Sequence, residues 1–341
     1  MKFRNEALPR AGLLAVISLL CFSCCAHAYD AAEKYITRYW KDLKRFDETI
    51  FRSGLGRTLV RLTAPELVPS PEGLAAGLKV PAHFPALMPA EVDPSRFTSK
   101  TFNLRVLTAN LFLLPSSFAS DHEARLDEFT RIVHGRNPDL IILQEVWLES
   151  CLTELRRRLP EYEAFAPEPR VGNPTGLALF SRLACTDAQY RFYPARLDFN
   201  MDEKLARKGF LAVGFSLGQK PFWVVTTHLY AHAGDLELSF TKAQFQTVKD
   251  FCATLPGAVI LGGDMNMEPP VLFPQLGGVF SVEPEGSRTA VRGAPGRRID
   301  YVMTRSSHDW ELSARSEPVT DPVVSDHFPV FAEVTFRQKG K

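Results

Sequence analysis

Five apolar runs of β type in this chain each lead into a polar cluster. LRVLTAN reaches Asn110, DLIILQE reaches Glu145 and FWVVTTH reaches His228. AVILGGDMN reaches Asp264 and Asn266, and VVSDH reaches Asp326 and His327. Runs rich in Val, Ile and Leu belong to strands covered on both faces, and their core is complete without a polar ending. Open α/β sheets deliver side chains from the carboxyl ends of their strands into one crevice. The set gathered there comprises acids, amides and two histidines. These are oxygen ligands for a hard divalent cation together with acid/base groups, a combination suited to phosphate-ester hydrolysis.

The 341 residues, 45% of them hydrophobic, can bury a core as one large domain or two small ones. No internal repeat, heptad run or Gly/Ser-rich linker interrupts them. Residues 1–28 have the form of a signal peptide: Lys2, Arg4 and Arg10 precede an apolar stretch from Ala11 to Phe22, and Ala26-His27-Ala28 forms a small-x-small cleavage site. A secreted or periplasmic location is the expectation. A signal anchor is the plainer alternative, and Cys21, Cys24 and Cys25 raise a lipoprotein reading, although the residues before them match a lipid-attachment site poorly. Removal of this segment leaves 37 basic and 38 acidic residues, a net charge of −1. That balance lacks the basic footprint of a nucleic-acid binder, and no stable nucleic-acid partner is expected. The three remaining cysteines, Cys151, Cys185 and Cys252, allow at most one internal disulfide and lack metal-site spacing.

Residues 29–100 read as an amino-terminal extension. Tyr35, Tyr39, Leu43 and Phe46 share one face of a helix over Asp30–Arg52, and a Pro-rich irregular stretch follows, packed on the main domain. Its apolar Phe84, Leu87 and Met88 are alternatively a membrane or partner contact. From residue 101 to 341, strands and helices alternate. Helices are expected over Glu123–Gly135, Glu149–Leu159 and Asp235–Leu255, and TGLALFSR, GFLAVGFSLG, RRIDYVMT and FPVFAEVTF are strand-like. This alternation predicts an α/β sandwich of two mixed sheets.

Taken singly, most of the polar residues have ordinary readings. Glu145 is a candidate magnesium or manganese ligand or a surface residue at a strand end. Asn110 either completes a metal shell, binds a phosphate oxygen or starts a turn. In GGDMN the glycines let Asp264 and Asn266 emerge together, as they would in a simple β-turn. His327 is the best general base, Asp300 a candidate to orient it, and His228 a donor to a developing phosphorane oxygen. Their coincidence carries the argument.

In order along the chain, Asn110, Glu145, His228, Asp264-Met265-Asn266, Asp300 and Ser325-Asp326-His327 resemble the endonuclease/exonuclease/phosphatase superfamily, over about residues 102 to 336. That resemblance implies the deoxyribonuclease-I-like fold, a four-layer α/β/β/α sandwich of two mixed sheets flanked by helices. ANLFLLP, LQEVW, KGF (Lys208 to Phe210), THLYAH and GGDMN are similar to the neutral and secreted bacterial-type sphingomyelinases. The resemblance implies a magnesium-dependent phosphodiesterase, with manganese or cobalt as alternatives, that splits sphingomyelin at a membrane surface into ceramide and phosphocholine. It places the metal on Glu145 with help from Asn110, transition-state stabilisation on His228 and Asn266, and the attacking water with Asp264 and His327. Asp326 helps build the site, and Lys208 and Asn110 contact substrate. A monomer is expected. Secreted bacterial sphingomyelinases carry an apolar, aromatic hairpin late in the chain, whereas Ser306 to Val323 is short and polar with Trp310 as its one aromatic. A nuclease, or a phosphomonoesterase for lipid or sugar phosphates, keeps the fold with another substrate. A catalytically inactive binding module is the reading from another class.

Overall fold

The computed structural model describes residues 78–79, 82–88, 97–98 and 100–340, apart from 115–120, 168–174, 195, 197–198, 201–202, 204–205, 232–233 and 291–296. Residues 1–28 and the helix expected over 30–52 lie outside the described residues.

Two βαβ units set the architecture. β4 (Thr101–Leu113) runs through helix α1 (His122–Arg136) into its parallel neighbour β5 (Leu140–Val146). β10 (Lys220–His228) runs through α3 (Asp235–Thr254) into parallel β11 (Ala258–Asp264). Such crossovers place each helix on one face of its sheet. The remaining strands are β1 (Leu78–Lys79), β2 (Ala82–Phe84), β3 (Phe97–Thr98), β6 (Glu163–Ala166), β7 (Ala178–Ser181), β8 (Asp187–Phe192), β9 (Gly209–Leu217), β12 (Ser281–Val282), β13 (Asp300–Arg305), β14 (Trp310–Pro318) and β15 (Val330–Gln338). One sheet has the order β1-β8-β9-β10-β11-β13-β12, the other β14-β15-β4-β5-β7-β6-β2, with β3 also on β4. Helices α2 (Glu149–Arg158) and α4 (Pro269–Leu276) complete the set.

Alternation along the strands divides the interior into three apolar layers. Leu104, Val106, Leu140 and Ile142 of the second sheet meet Val224, Ile260 and Val302 of the first, forming the layer between the sheets. Their neighbours Leu107, Ile141 and Leu143 pack instead with Leu126, Phe129 and Leu152 of α1 and α2. Val225, Val259 and Leu261 pack with Phe245, Val248 and Leu272 of α3 and α4. Strands buried on both faces explain the unbroken apolar runs, and the order helix, sheet, sheet, helix is the predicted four-layer sandwich.

Sequence patterning missed several edge elements. Part of the extension supplies strands: Leu78 pairs with Tyr190, Phe84 with Ala164 and Thr98 with Thr101. The polar stretch after Ser306 is β14, an edge strand whose alternate residues are buried or half-buried, and it pairs with β15 along its length. Trp310 is buried there with its ring edge-on to Phe336, so it is not a membrane-facing aromatic. Cys151, Cys185 and Cys252 are free thiols. Among the described residues no helix is long and apolar enough to cross a membrane.

Candidate active site

Topology brings the polar clusters to one end of both sheets. Asn110 and Glu145 lie near the carboxyl ends of β4 and β5, and His228 and Asp264 end β10 and β11 as register partners. Asp300 pairs with Asp264 from antiparallel β13, so it reaches the same end by starting its strand. Ser325 to His327 likewise precede β15, whose Val330 lies opposite Thr108. The expectation that Asp326 and His327 close an apolar strand is therefore corrected. Val323 and Val324 are outside any strand, and the following run, from Val330, is the strand that aims these residues.

Strand phase puts Asn110, His228, Asp264 and Asp300 on the face toward the other sheet, in step with Val106, Val224, Ile260 and Val302. Glu145 is out of step. Alternation alone directs it toward the helices with Ile141 and Leu143, but its φ of 57° is left-handed and reverses its direction. Its Oε1 then accepts the Asn110 Nδ2–H at 2.9 Å. The same amide donates to Asp264 Oδ2 at 3.2 Å, tying one sheet to the other. Asn110 Oδ1 accepts the Phe112 N–H at 3.1 Å, so the amide turns its nitrogen, not its oxygen, toward the carboxylates.

Asp264 is the centre of the cluster. Its Oδ1 accepts the Asn266 N–H at 2.9 Å, while Oδ2 lies 3.5 Å from His228 Nε2 and 3.9 Å from His327 Nε2. His327 Nδ1 is 2.9 Å from Asp300 Oδ2. Asn266, also left-handed at φ 48°, donates its Nδ2–H to the Leu229 carbonyl at 3.0 Å. Asp326 Oδ1 accepts from Ser325 Oγ, which in turn accepts the His327 N–H at 3.2 Å. Lys208 is the residue expected, with Asn110, to contact substrate. It is buried, with Nζ 2.7 Å from Glu203 Oε1 and 2.9 Å from the Leu229 carbonyl, supporting the turn after His228.

Electrostatics separate the roles. Burial raises the Glu145 carboxyl above its ordinary range, against the Asn110 hydrogen bond. Burial and then neighbouring Asp300 raise Asp264. Burial, followed by the Lys208 charge, holds His228 well below its ordinary value, so it is a neutral imidazole at pH 7. Burial also pulls His327 down, but the charge and hydrogen bond of Asp300 outweigh it and lift this histidine to about 10.

The donor set fits a divalent cation. Burial inclines both Glu145 and Asp264 toward the neutral form, and the Asn110 amide donates to an oxygen of each, so a cation there would offset the cost of their charge. Asp264, Asp300 and His327 also offer three ligand atoms within 4.8 Å of one another, and Asp300 Oδ1 has no hydrogen-bond partner among the described residues. Sequence reasoning missed a second tier. Buried Gln144 Nε2 lies 3.2 Å from Thr108 Oγ1 and 3.3 Å from Thr226 Oγ1, forming a polar tie between the sheets beneath Asn110 and His228. Thr289 supports Asp300 and the residue after His327. The signals were faint: an amide beside Glu145, a threonine two residues before Asn110 and another two before His228.

A family model described as the endonuclease/exonuclease/phosphatase family matches residues 101–327. No curated protein matches the chain. Among solved structures, beta toxin from Staphylococcus aureus superposes with a TM-score of 0.55 at 18% identity, covering 67% of this chain and 99% of that one. Sphingomyelinase C from Streptomyces griseocarneus gives 0.56 at 19% identity, covering 68% and 99%. A humanized TDP2 from D. rerio gives 0.56 at 15% identity, covering 68% and 98%. A further structure of beta toxin carries bound magnesium ions. These likenesses show the shared fold.

Proposed function

The chain belongs to the endonuclease/exonuclease/phosphatase family, and on that premise we propose that it is an exported, monomeric sphingomyelinase-type phosphodiesterase acting at a lipid surface. Family and fold support a metal-dependent phosphoric diester hydrolase in general terms. The observation that carries the chemistry is the convergence of Glu145, Asn110 and Asp264 beside the His327–Asp300 pair. Sphingomyelin as substrate is supported by the Leu114-Pro115 ending of the stretch after Asn110, by Lys208-Gly209-Phe210 and by the near-neutral charge. Export rests on the form of residues 1–28.

In this reading Glu145 would hold Mg²⁺, with Asn110 orienting that carboxylate and Asp264. A cation held there would supply Lewis acidity to the phosphoryl group, positive charge beside the leaving oxygen, and a bias toward the neutral imidazole at His327. His327 Nε2 takes a proton from water as the water oxygen bonds to phosphorus, while Asp300 fixes Nδ1–H and stabilises the imidazolium. Asp264, within 3.9 Å of His327 Nε2, helps aim the water. His228 and Asn266 border the position where charge grows on the phosphoryl oxygens. The bond from phosphorus to the ceramide oxygen breaks, that oxygen takes a proton from solvent to become the ceramide hydroxyl, and His327 returns to solvent the proton it took from water. The test is turnover by the mature protein with Mg²⁺ on sphingomyelin liposomes, plasmid DNA and a phosphomonoester. Release of phosphocholine from the liposomes with neither control consumed supports the reading. Turnover of a control alone moves the enzyme to another substrate class.

A further inference from the structure

We propose that Thr289 is a positioning residue that holds Asp300 and His327 in register with each other, an inference that rests on reading this pair as the acid/base unit. The two residues stand at the starts of strands in different sheets, Asp300 within β13 and His327 just before β15. Asp300 opens β13, whose ladder partners are β11 and β12, and His327 precedes β15, whose partners are β14 and β4. No ladder joins β13 to β15, so strand pairing does not set the distance between imidazole and carboxylate.

Thr289 contacts both segments. Its Oγ1 accepts the Ile299 N–H at 3.0 Å and the Asp300 N–H at 3.1 Å. Its carbonyl accepts the Phe328 N–H at 2.6 Å, one residue past His327. Ala290 next to it forms an isolated antiparallel bridge with His327 itself. The Thr289 and Ala290 N–H groups both return to the Arg297 carbonyl, at 2.9 and 2.8 Å, so the clip is closed on the segment that leads to Asp300. Thr289 is 2% exposed, which removes water as a substitute acceptor. A hydroxyl is the small side-chain group able to accept two amides here. Valine has the same shape and no acceptor, and would leave both N–H groups unpaired in the interior. Because a base must sit within a fraction of an ångström of its productive place, such a loss is expected to appear in turnover before substrate binding.

The experiment compares Thr289→Val, Thr289→Ser and wild type by proton NMR of the hydrogen-bonded His327 imidazole N–H and by steady-state kinetics with Mg²⁺. The NMR arm needs no substrate, so it separates failure of this proposal from failure of the substrate assignment. In Thr289→Val the downfield resonance should be lost or broadened and kcat should drop by about 10²-fold, with KM changed by less than about threefold. Thr289→Ser should restore both. Thr289→Cys, which keeps the bulk but offers a poor acceptor, should fall between them and serves if the valine variant does not fold. An unaltered resonance and kcat in Thr289→Val or Thr289→Cys would overturn the proposal.

Discussion

His327 Nδ1 lies 2.9 Å from Asp300 Oδ2, a contact made across 27 positions of sequence and between two sheets. It fixes which imidazole nitrogen faces the cluster: Nδ1 is engaged, so Nε2 points toward Asp264. Asp300→Asn keeps the shape and removes the charge. It should lower kcat by roughly 10²- to 10⁴-fold, because the imidazolium formed during turnover loses its counter-charge. The same variant, freed of metal, should titrate His327 well below the wild-type value of about 10 when followed by NMR.

The raised histidine also predicts a pH dependence of stability. Its folded value of about 10 exceeds the ordinary 6.5, so protonation favours the folded state. The stabilisation is complete below about 6.5 and is lost as pH rises through about 10. The EDTA-treated protein should therefore melt a few degrees lower at pH 10 than at pH 7, and Asp300→Asn should show a smaller decline. A flat profile in the wild type would contradict the pairing.

Gly263 has a φ of 139°, and a Cβ there would sit 2.0 Å from the Thr227 carbonyl oxygen. Gly263→Ala should thus part β10 from β11 next to His228 and Asp264. A stability loss of about 3 kcal/mol or more is expected by chemical denaturation, together with loss of activity.

Lys208→Met distinguishes support of the site from contact with substrate. Buried against Glu203 and the Leu229 carbonyl, Lys208 should leave an uncompensated interior charge when removed, at a cost of about 3–5 kcal/mol, with kcat falling. An unchanged melting temperature with a raised KM would return Lys208 to the role expected from sequence.

Much of the frame was legible because strands buried on both faces write themselves as unbroken apolar runs, and because α1, α2 and α3 carry clear helical stripes. Edge elements were not. β8 and β14 have exposed or half-buried residues at most positions, which dilutes the apolar signal. Of the site, the residues in phase with the inter-sheet face could be listed from sequence. The left-handed turn at Glu145 could not, since no glycine or proline marks it. Nor could the burial of Lys208, which depends on where Glu203 comes to rest, or the support by Thr289, whose partners lie across two sheets.

Water activated at His327 in a metal-dependent site is proposed to attack phosphorus. This attack is tested by turnover of sphingomyelin liposomes in H₂¹⁸O by the protein, with Mg²⁺, with EDTA and with His327→Ala. With Mg²⁺, phosphocholine should carry one ¹⁸O and ceramide none, and the rate should fall at least about 10²-fold in the other two arms. Label in ceramide, or undiminished release in EDTA or in His327→Ala, would contradict it.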